Sequence, residues 1–174
     1  MMMSALQAGG MTLLVDQIRK ADANNPKGYY EFERVKKLPK GDTGWLKLAR
    51  GKAVKIISAL LEYLPPDDEY QIIFMERDLD EVLSSQQRML ERNGRENDHP
   101  VSDEEIRESY QAHLVQVRSF IDTRHWIQSL FVSYNDILSH PHEAFLKIAD
   151  FLDEDVDPNR MALVVEPNLY REKR

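Results

Sequence analysis

Residues 70–90, YQIIFMERDLDEVLSSQQRML, constrain the fold more than any other stretch of this chain. An apolar run that favours β-structure, residues 72–75, ends abruptly at Glu76, Arg77 and Asp78. Leucine and valine side chains then recur at helical spacing, at positions 79, 82, 83 and 90. The stretch therefore predicts a strand, a tight turn and a helix.

Two other segments have the composition of strands. Residues 52–58, KAVKIIS, are rich in β-branched side chains, and residues 126–134 form a second run of this kind. Helical segments separate the three predicted strands, which implies parallel pairing through right-handed crossovers. With 174 residues the chain is long enough for one domain with a substantial core. We therefore expect a single α/β domain over residues 1–174, a three-layer sandwich around a parallel sheet.

Helix boundaries are clear at several points. Residues 1–8 favour a helix that Gly9 and Gly10 end. Ser102 and Glu105 form a predicted capping box at the start of a long helix to about residue 124. Residues 134–136 predict a turn, and Pro141 is expected to begin the helix that follows it. Asp157 and Pro158 are expected to begin the last helix, which is short.

Arg77 stands where the predicted strand 70–75 meets its helix. Ligands of open α/β sheets bind outside the carboxyl ends of strands, and a guanidinium there can grip an anion with two hydrogen bonds. Ser84 and Ser85 lie one to two turns into the helix, where a hydroxyl can add a donor. The pattern thus indicates phosphate binding. An alternative is equally concrete, since Arg77 can instead form a surface ion pair with a carboxylate such as Glu76 or Asp80.

Several motifs, taken in order, resemble those of sulfotransferases that use 3′-phosphoadenosine 5′-phosphosulfate (PAPS). An arginine at a strand end followed eight residues later by a serine, here Arg77 and Ser85, resembles the family's 3′-phosphate-binding motif. NNPKGYYEFE at residues 24–33 looks like a segment of bacterial members, as does EPNLYR near the end of the chain. Residues 130–152 are similar to the family's strand, turn and closing helix.

This resemblance implies a P-loop-type fold and transfer of a sulfuryl group from PAPS to a hydroxyl or amine of a small-molecule or glycan acceptor. The family's first strand and its loop that holds the 5′-phosphosulfate precede the first helix, and neither is found in this sequence. We therefore expect an N-terminally truncated member that lacks the first strand and retains half of the nucleotide site. Whether the chain as given is active stays open, and a non-catalytic binding or interaction module that retained the fold is the alternative.

Glu31 is the predicted general base, with Glu33 in reserve. Tyr29, Tyr30 and Phe32 surround these glutamates in sequence, and a carboxylate held among aromatic rings can have a raised pKa. By resemblance, a glutamate after the first helix is the base in some sulfotransferases. Animal cytosolic members use a histidine just after the strand that resembles residues 52–58, but residues 58–66 contain none. In the basic tail, Arg171 is a further candidate for holding a phosphate.

Composition excludes several other classes of protein. The chain has no cysteine, so disulfides and thiolate metal sites are absent, which suits a reducing cytoplasm. A net charge of −7 argues against a broad nucleic-acid interface. No signal peptide or membrane span is recognisable, so we expect a cytoplasmic protein. His140 and His142 flank a proline, but no third ligand completes a site and we expect no metal.

Overall fold

The computed structural model describes residues 1–16, 18, 19, 21, 25, 28–84, 102–152 and 155–165. In chain order its elements are α1 (Met2–Ala8), a 3-10 helix (Glu33–Lys40), α2 (Leu46–Ala49), a second 3-10 helix (Ser58–Tyr63), β1 (Tyr70–Glu76), α3 (79–84), α4 (Asp103–Asp122), β2 (Ile127–Ser133), α5 (Tyr134–Ser139), α6 (Pro141–Leu152) and α7 (Pro158–Ala162).

The sheet of the described chain consists of β1 and β2 alone, paired in parallel. The register runs from Tyr70 opposite Ile127 to Glu76 opposite Ser133. Two of the three predicted strands are thereby confirmed, together with their parallel direction. The α/β class is confirmed as well.

The third predicted strand, residues 52–58, is wrong. Only Ala53 pairs, in an isolated parallel bridge with Leu13, and Ser58 already begins a 3-10 helix. The Ala53 N–H donates to the Thr12 carbonyl at 2.9 Å, and its own carbonyl accepts from the Leu14 N–H at 2.9 Å. A run of β-branched residues becomes a strand only beside a partner strand, and this segment finds a partner at one residue.

Glycines end α1 as predicted. Gly9 is its C-cap, and Gly10 has φ +107°, a conformation that side chains with a Cβ rarely adopt. A Cβ on Gly9 would lie 2.7 Å from Cγ of Met161 in α7, so the two helices approach closely at this point. The turn therefore also fixes how α1 packs on α7.

The capping box at the start of α4 is confirmed. The Ser102 hydroxyl accepts from the Glu105 N–H, and the Glu105 carboxylate accepts from the Ser102 N–H at 2.9 Å. Hydrogen bonds from Ser102 hold the pKa of Glu105 below its ordinary value. The predicted turn at residues 134–136 is wrong, because Ser133 accepts from the Asp136 N–H and thereby caps the short helix α5.

The two faces of the sheet carry different hydrophobic cores. Ile73, Met75 and Leu130 pack on the α1-side core, whose fully buried members include Phe145, Ile148 and Met161. Tyr70, Ile72, Phe74 and Phe131 pack on the α4-side core, which contains Trp45, Leu38 and Ile121. Successive side chains of a strand point to opposite faces, so helices cover both faces of this sheet.

Tyr70 makes the stability of this fold decrease at alkaline pH. Its hydroxyl donates to the Pro65 carbonyl at 2.9 Å, and burial, reinforced by Asp68 and Asp67, raises its pKa to about 12. In the unfolded chain the phenol ionises near pH 10, so the contribution of Tyr70 is complete below that pH. We expect this contribution to disappear as pH rises from about 10 to 12.

Urea unfolding between pH 9 and 11 measures this loss, with Tyr70→Phe as the control. The stability of the parent relative to Tyr70→Phe should fall across that range. A constant difference between the two proteins would contradict the assignment.

Candidate functional site

A groove of about 1330 Å³ runs along β1. Every residue of β1 and the following Arg77 line it on one side, and residues 50–56 line it on another. Met1, Met2 and Met3 at the start of α1 contribute as well. Arg77 therefore lies where the groove passes the carboxyl end of a parallel strand, the position at which α/β folds bind ligands.

The guanidinium of Arg77 contacts two neighbours. Its Nε donates to Oε2 of Glu81 at 3.2 Å, and its central carbon lies 4.9 Å from the centre of the Tyr134 ring. Asn135 Nδ2 donates to the other Glu81 oxygen at 3.2 Å. The alternative of an ion pair is thus correct in kind, but its partner is Glu81 and not Glu76 or Asp80.

The two carboxylates first considered for Arg77 have other partners. Glu76 pairs with Arg118, and Asp80 pairs with Arg107 at 2.6 Å. Asp78 Oδ1 accepts from the N–H groups of Asp80 and Glu81, which caps the start of α3. Among the described residues, Glu81 is thus the one carboxylate that pairs with Arg77 at the start of α3, and 30% of the Arg77 side chain is exposed.

Tyr134 gives this end of the groove an aromatic wall. Burial raises the pKa of its hydroxyl, although the Arg77 charge lowers it, so the phenol stays neutral at physiological pH. Tyr134 and Leu138 both line the groove from α5. A cation beside an aromatic ring is a setting in which a planar anion-bearing ligand can bind by stacking and by charge.

Glu31 lies among cations, which corrects the aromatic surroundings expected from the sequence. Its Oε1 is 3.1 Å from Arg19 and 3.5 Å from Lys55, and its Oε2 is 3.7 Å from Lys36. Arg19 also stacks over the Tyr29 ring at 3.4 Å, so the same guanidinium contacts Tyr29 and Glu31. Glu31 thus joins three separate parts of the chain electrostatically.

Neither predicted base faces the groove. Glu31 and Glu33 are absent from its lining, whereas Tyr29, Tyr30, Arg19 and Lys55 belong to it. Glu33 forms an exposed pair with Lys36 at 2.8 Å, and its N–H donates to Asp16 at 2.6 Å. The structure therefore brings the neighbours of Glu31 to the groove and leaves both carboxylates outside it.

Replacing Glu31 by glutamine is expected to lower the free energy of unfolding by about 1–2 kcal/mol, because three cations lose their shared carboxylate. Glu33→Gln is the matched control and should cost less than half as much, since its side chain is 39% exposed against 18% for Glu31. Chemical denaturation of both variants measures this, and equal losses would show that Glu31 does not join these segments.

Ser58 and His113 form a pair that the sequence did not predict. Ser58 Oγ lies 2.8 Å from His113 Nε2, and Ser58 lines the groove. The two residues are 55 positions apart, so no local spacing could have paired them. Residues 58–66 contain no histidine, but α4 brings His113 within hydrogen-bonding distance of Ser58.

The remaining predictions concern Ser85, Arg171, a metal site and a membrane span. Ser85 and Arg171 lie outside the described residues. Within those residues, no group of three or more His, Asp or Glu side chains could hold a metal ion, and His142 instead contacts Asn159 Oδ1 at 2.8 Å. No helix in the described part of the chain is long and apolar enough to cross a membrane.

Comparison of the chain with protein-family models, with curated proteins and with solved structures found no match.

Proposed function

We propose that this chain has a P-loop-type sulfotransferase fold and that Arg77 forms a binding site for the 3′-phosphate of an adenine nucleotide. The full activity in this proposal is transfer of a sulfuryl group from PAPS to a hydroxyl or amine of a small-molecule or glycan acceptor. The observation that carries it is the position of Arg77, directly after the carboxyl end of parallel strand β1 and on the groove.

The surroundings of Arg77 support a phosphate ligand. Within the described part of the chain its carboxylate partner is Glu81, which contacts Nε, so the terminal nitrogens can reach a second anion in this proposal. Tyr134 provides an aromatic surface 4.9 Å from the guanidinium carbon. A bidentate contact from Arg77 to a phosphate would therefore add to the existing pair with Glu81 and would not require its loss.

Sulfuryl transfer forms a bond from the acceptor oxygen or nitrogen to sulfur and breaks the bond from sulfur to the phosphate oxygen of PAPS. The proton of the acceptor must pass to a base. Glu31 and Glu33 are the bases proposed from sequence. Ser58 lines the groove, and its partner His113 would accept a proton through the Ser58 hydroxyl.

The alternative, a binding or interaction module without catalysis, is supported by the same ion pairs. Glu81 neutralises Arg77, and three cations surround Glu31, so both predicted site residues already serve the fold. In this alternative the groove binds a ligand but catalyses no reaction.

Calorimetric titration of adenosine 3′,5′-bisphosphate into the parent, Arg77→Ala and Arg160→Ala tests the proposal. Arg160 is an exposed arginine on α7, so its replacement removes the same charge away from the groove. We expect binding by the parent and by Arg160→Ala that Arg77→Ala loses. Absence of binding by the folded parent would contradict the proposed nucleotide site and favour the interaction module.

A further inference from the structure

Arg77, Glu81 and Asn135 are joined by hydrogen bonds across two elements that follow neighbouring strands. In the parallel register Glu76, the last residue of β1, lies opposite Ser133, the last residue of β2. Glu81 follows in α3 and Asn135 in α5, so the pairing of the strands brings both side chains to the carboxyl end of the sheet. The two residues meet through the fold, since they are 54 positions apart.

Glu81 uses its two oxygens for different donors. Oε2 accepts from Arg77 Nε at 3.2 Å, and Oε1 accepts from Asn135 Nδ2 at 3.2 Å. The orientation of the Asn135 amide follows from chemistry, because an ionised carboxylate has no proton to donate and must face the amide nitrogen. The Glu81 side chain is only 13% exposed, so its hydrogen bonds replace most of its hydration.

This arrangement keeps Glu81 to one hydrogen bond with Arg77. A carboxylate commonly binds a guanidinium with two parallel hydrogen bonds, which engage two of its nitrogens. Here Asn135 holds the second oxygen, and among the described residues the terminal nitrogens of Arg77 have no hydrogen-bond partner. The described lining of the groove contains Arg77 but neither Glu81 nor Asn135. Asn135 therefore reaches a ligand in the groove through Glu81 and Arg77.

Asn135 forgoes part of its own hydrogen bonding in this position. Its Oδ1 is buried and has no partner among the described residues. A buried amide oxygen without a partner destabilises a fold, so such a group calls for an explanation in local structure or function. Within the described part of the chain, the side-chain hydrogen bond of Asn135 goes to Glu81. That bond is therefore what this side chain contributes.

We propose that Asn135 is a positioning residue for Arg77. It holds one Glu81 oxygen, limits the ion pair to Nε, and leaves the terminal nitrogens of Arg77 available to a phosphate. The identity of that phosphate, the 3′-phosphate of an adenine nucleotide, rests on the proposed function. The orientation of the Arg77 guanidinium can be measured without a ligand.

NMR of ¹⁵N-labelled arginine in the ligand-free chain tests this orientation. In the parent the terminal nitrogens of Arg77 should interchange by rotation of the guanidinium and give one averaged signal, which Arg77→Ala assigns. In Asn135→Ala the Glu81 carboxylate should bind two nitrogens and slow this rotation, so that two signals are resolved.

A second substitution shows whether Glu81 causes that change. Asn135→Ala combined with Glu81→Gln should restore the averaged signal, because a glutamine amide has a single oxygen to accept with. Asn135→Leu keeps the approximate size of the side chain without a donor, and it decides if the alanine variant does not fold. Two resolved signals in the parent, or an averaged signal in both Asn135 variants, would overturn the proposal.

Calorimetry with adenosine 3′,5′-bisphosphate and adenosine 5′-monophosphate measures the consequence for binding. Asn135→Ala should lower the preference for the bisphosphate by about threefold to tenfold, but by less than about twofold in the Glu81→Gln background. Asn159→Ala removes the same group from an exposed position on α7 and should keep the preference of the parent.

The outcomes separate this inference from the proposed function. Equal weakening of both nucleotides by Asn135→Ala, or the same loss of preference in both backgrounds, would mean that Asn135 only supports the local structure and would overturn the inference. If the parent binds neither nucleotide, the proposed function fails, and the NMR signals of Arg77 still decide whether Asn135 positions it.

Discussion

Replacing Phe145 by alanine is expected to lower the free energy of unfolding by about 3–5 kcal/mol, the range for a buried aromatic side chain. Phe145 is fully buried in the α1-side core, between the sheet and helices α1, α5 and α7. The loss combines the transfer free energy of the ring with the cavity that the surrounding side chains cannot close. Such a change is a large part of the stability of a domain of this size.

Leu146 provides the matched control for this prediction. It is the next residue of α6, and its side chain is 46% exposed, so Leu146→Ala should change the unfolding free energy by less than about 1 kcal/mol. Guanidinium denaturation, followed by circular dichroism, gives both values. Similar losses for the two variants would mean that α6 does not present Phe145 to the core.

Replacing Arg77 by alanine is expected to weaken binding of adenosine 3′,5′-bisphosphate by about 10- to 100-fold. A hydrogen bond between charged groups contributes about 1.5–3 kcal/mol, and 1.4 kcal/mol corresponds to tenfold in affinity. The Glu81 carboxylate, 3.2 Å from Nε of Arg77, offsets part of the guanidinium charge, which limits the effect to the lower part of that range. Removing this negative charge by Glu81→Gln should strengthen binding a few-fold, since an ion pair near the surface contributes about 1 kcal/mol.

Fluorescence competition with a labelled nucleotide measures the affinities of both variants. Weaker nucleotide binding by Arg77→Ala together with stronger binding by Glu81→Gln would support a phosphate contact at Arg77. Weaker binding by both variants would instead mean that the ion pair only supports the local structure.

Local sequence patterns predicted the elements that depend on local interactions. Gly9 and Gly10, the Ser102–Glu105 box and the pair Asp157–Pro158 mark the ends of helices, because caps and glycine conformations involve residues a few positions apart. The strand at residues 70–75 was predicted for a related reason. Its alternate side chains reach one core on each face of the sheet, which requires a continuously apolar run.

The errors concern contacts between distant parts of the chain. Residues 52–58 have the composition of a strand, but pairing depends on a neighbour that local pattern does not specify. Glu31 was placed among aromatic rings because they are adjacent in sequence, whereas Arg19 and Lys55 reach it through the fold. Ser58 and His113 meet for the same reason, since packing of α4 against the second 3-10 helix joins positions 55 residues apart.

The place of Arg77 after a strand was predicted, whereas a binding site at this residue is a proposal. A strand that ends at Glu76 puts the next residue, Arg77, at the carboxyl end of the sheet. Its carboxylate partner is Glu81, four positions further on and in the first turn of α3, which the examples considered from sequence did not include.

One comparison of ligands tests the contact between Arg77 and a 3′-phosphate most directly. Adenosine 3′,5′-bisphosphate and adenosine 5′-monophosphate differ only by that phosphate, so their affinities are measured by calorimetry with the parent and with Arg77→Ala. We expect the parent to prefer the bisphosphate by about tenfold or more and Arg77→Ala to bind both ligands alike. An unchanged preference in the variant, or no preference in the parent, would contradict the proposed function.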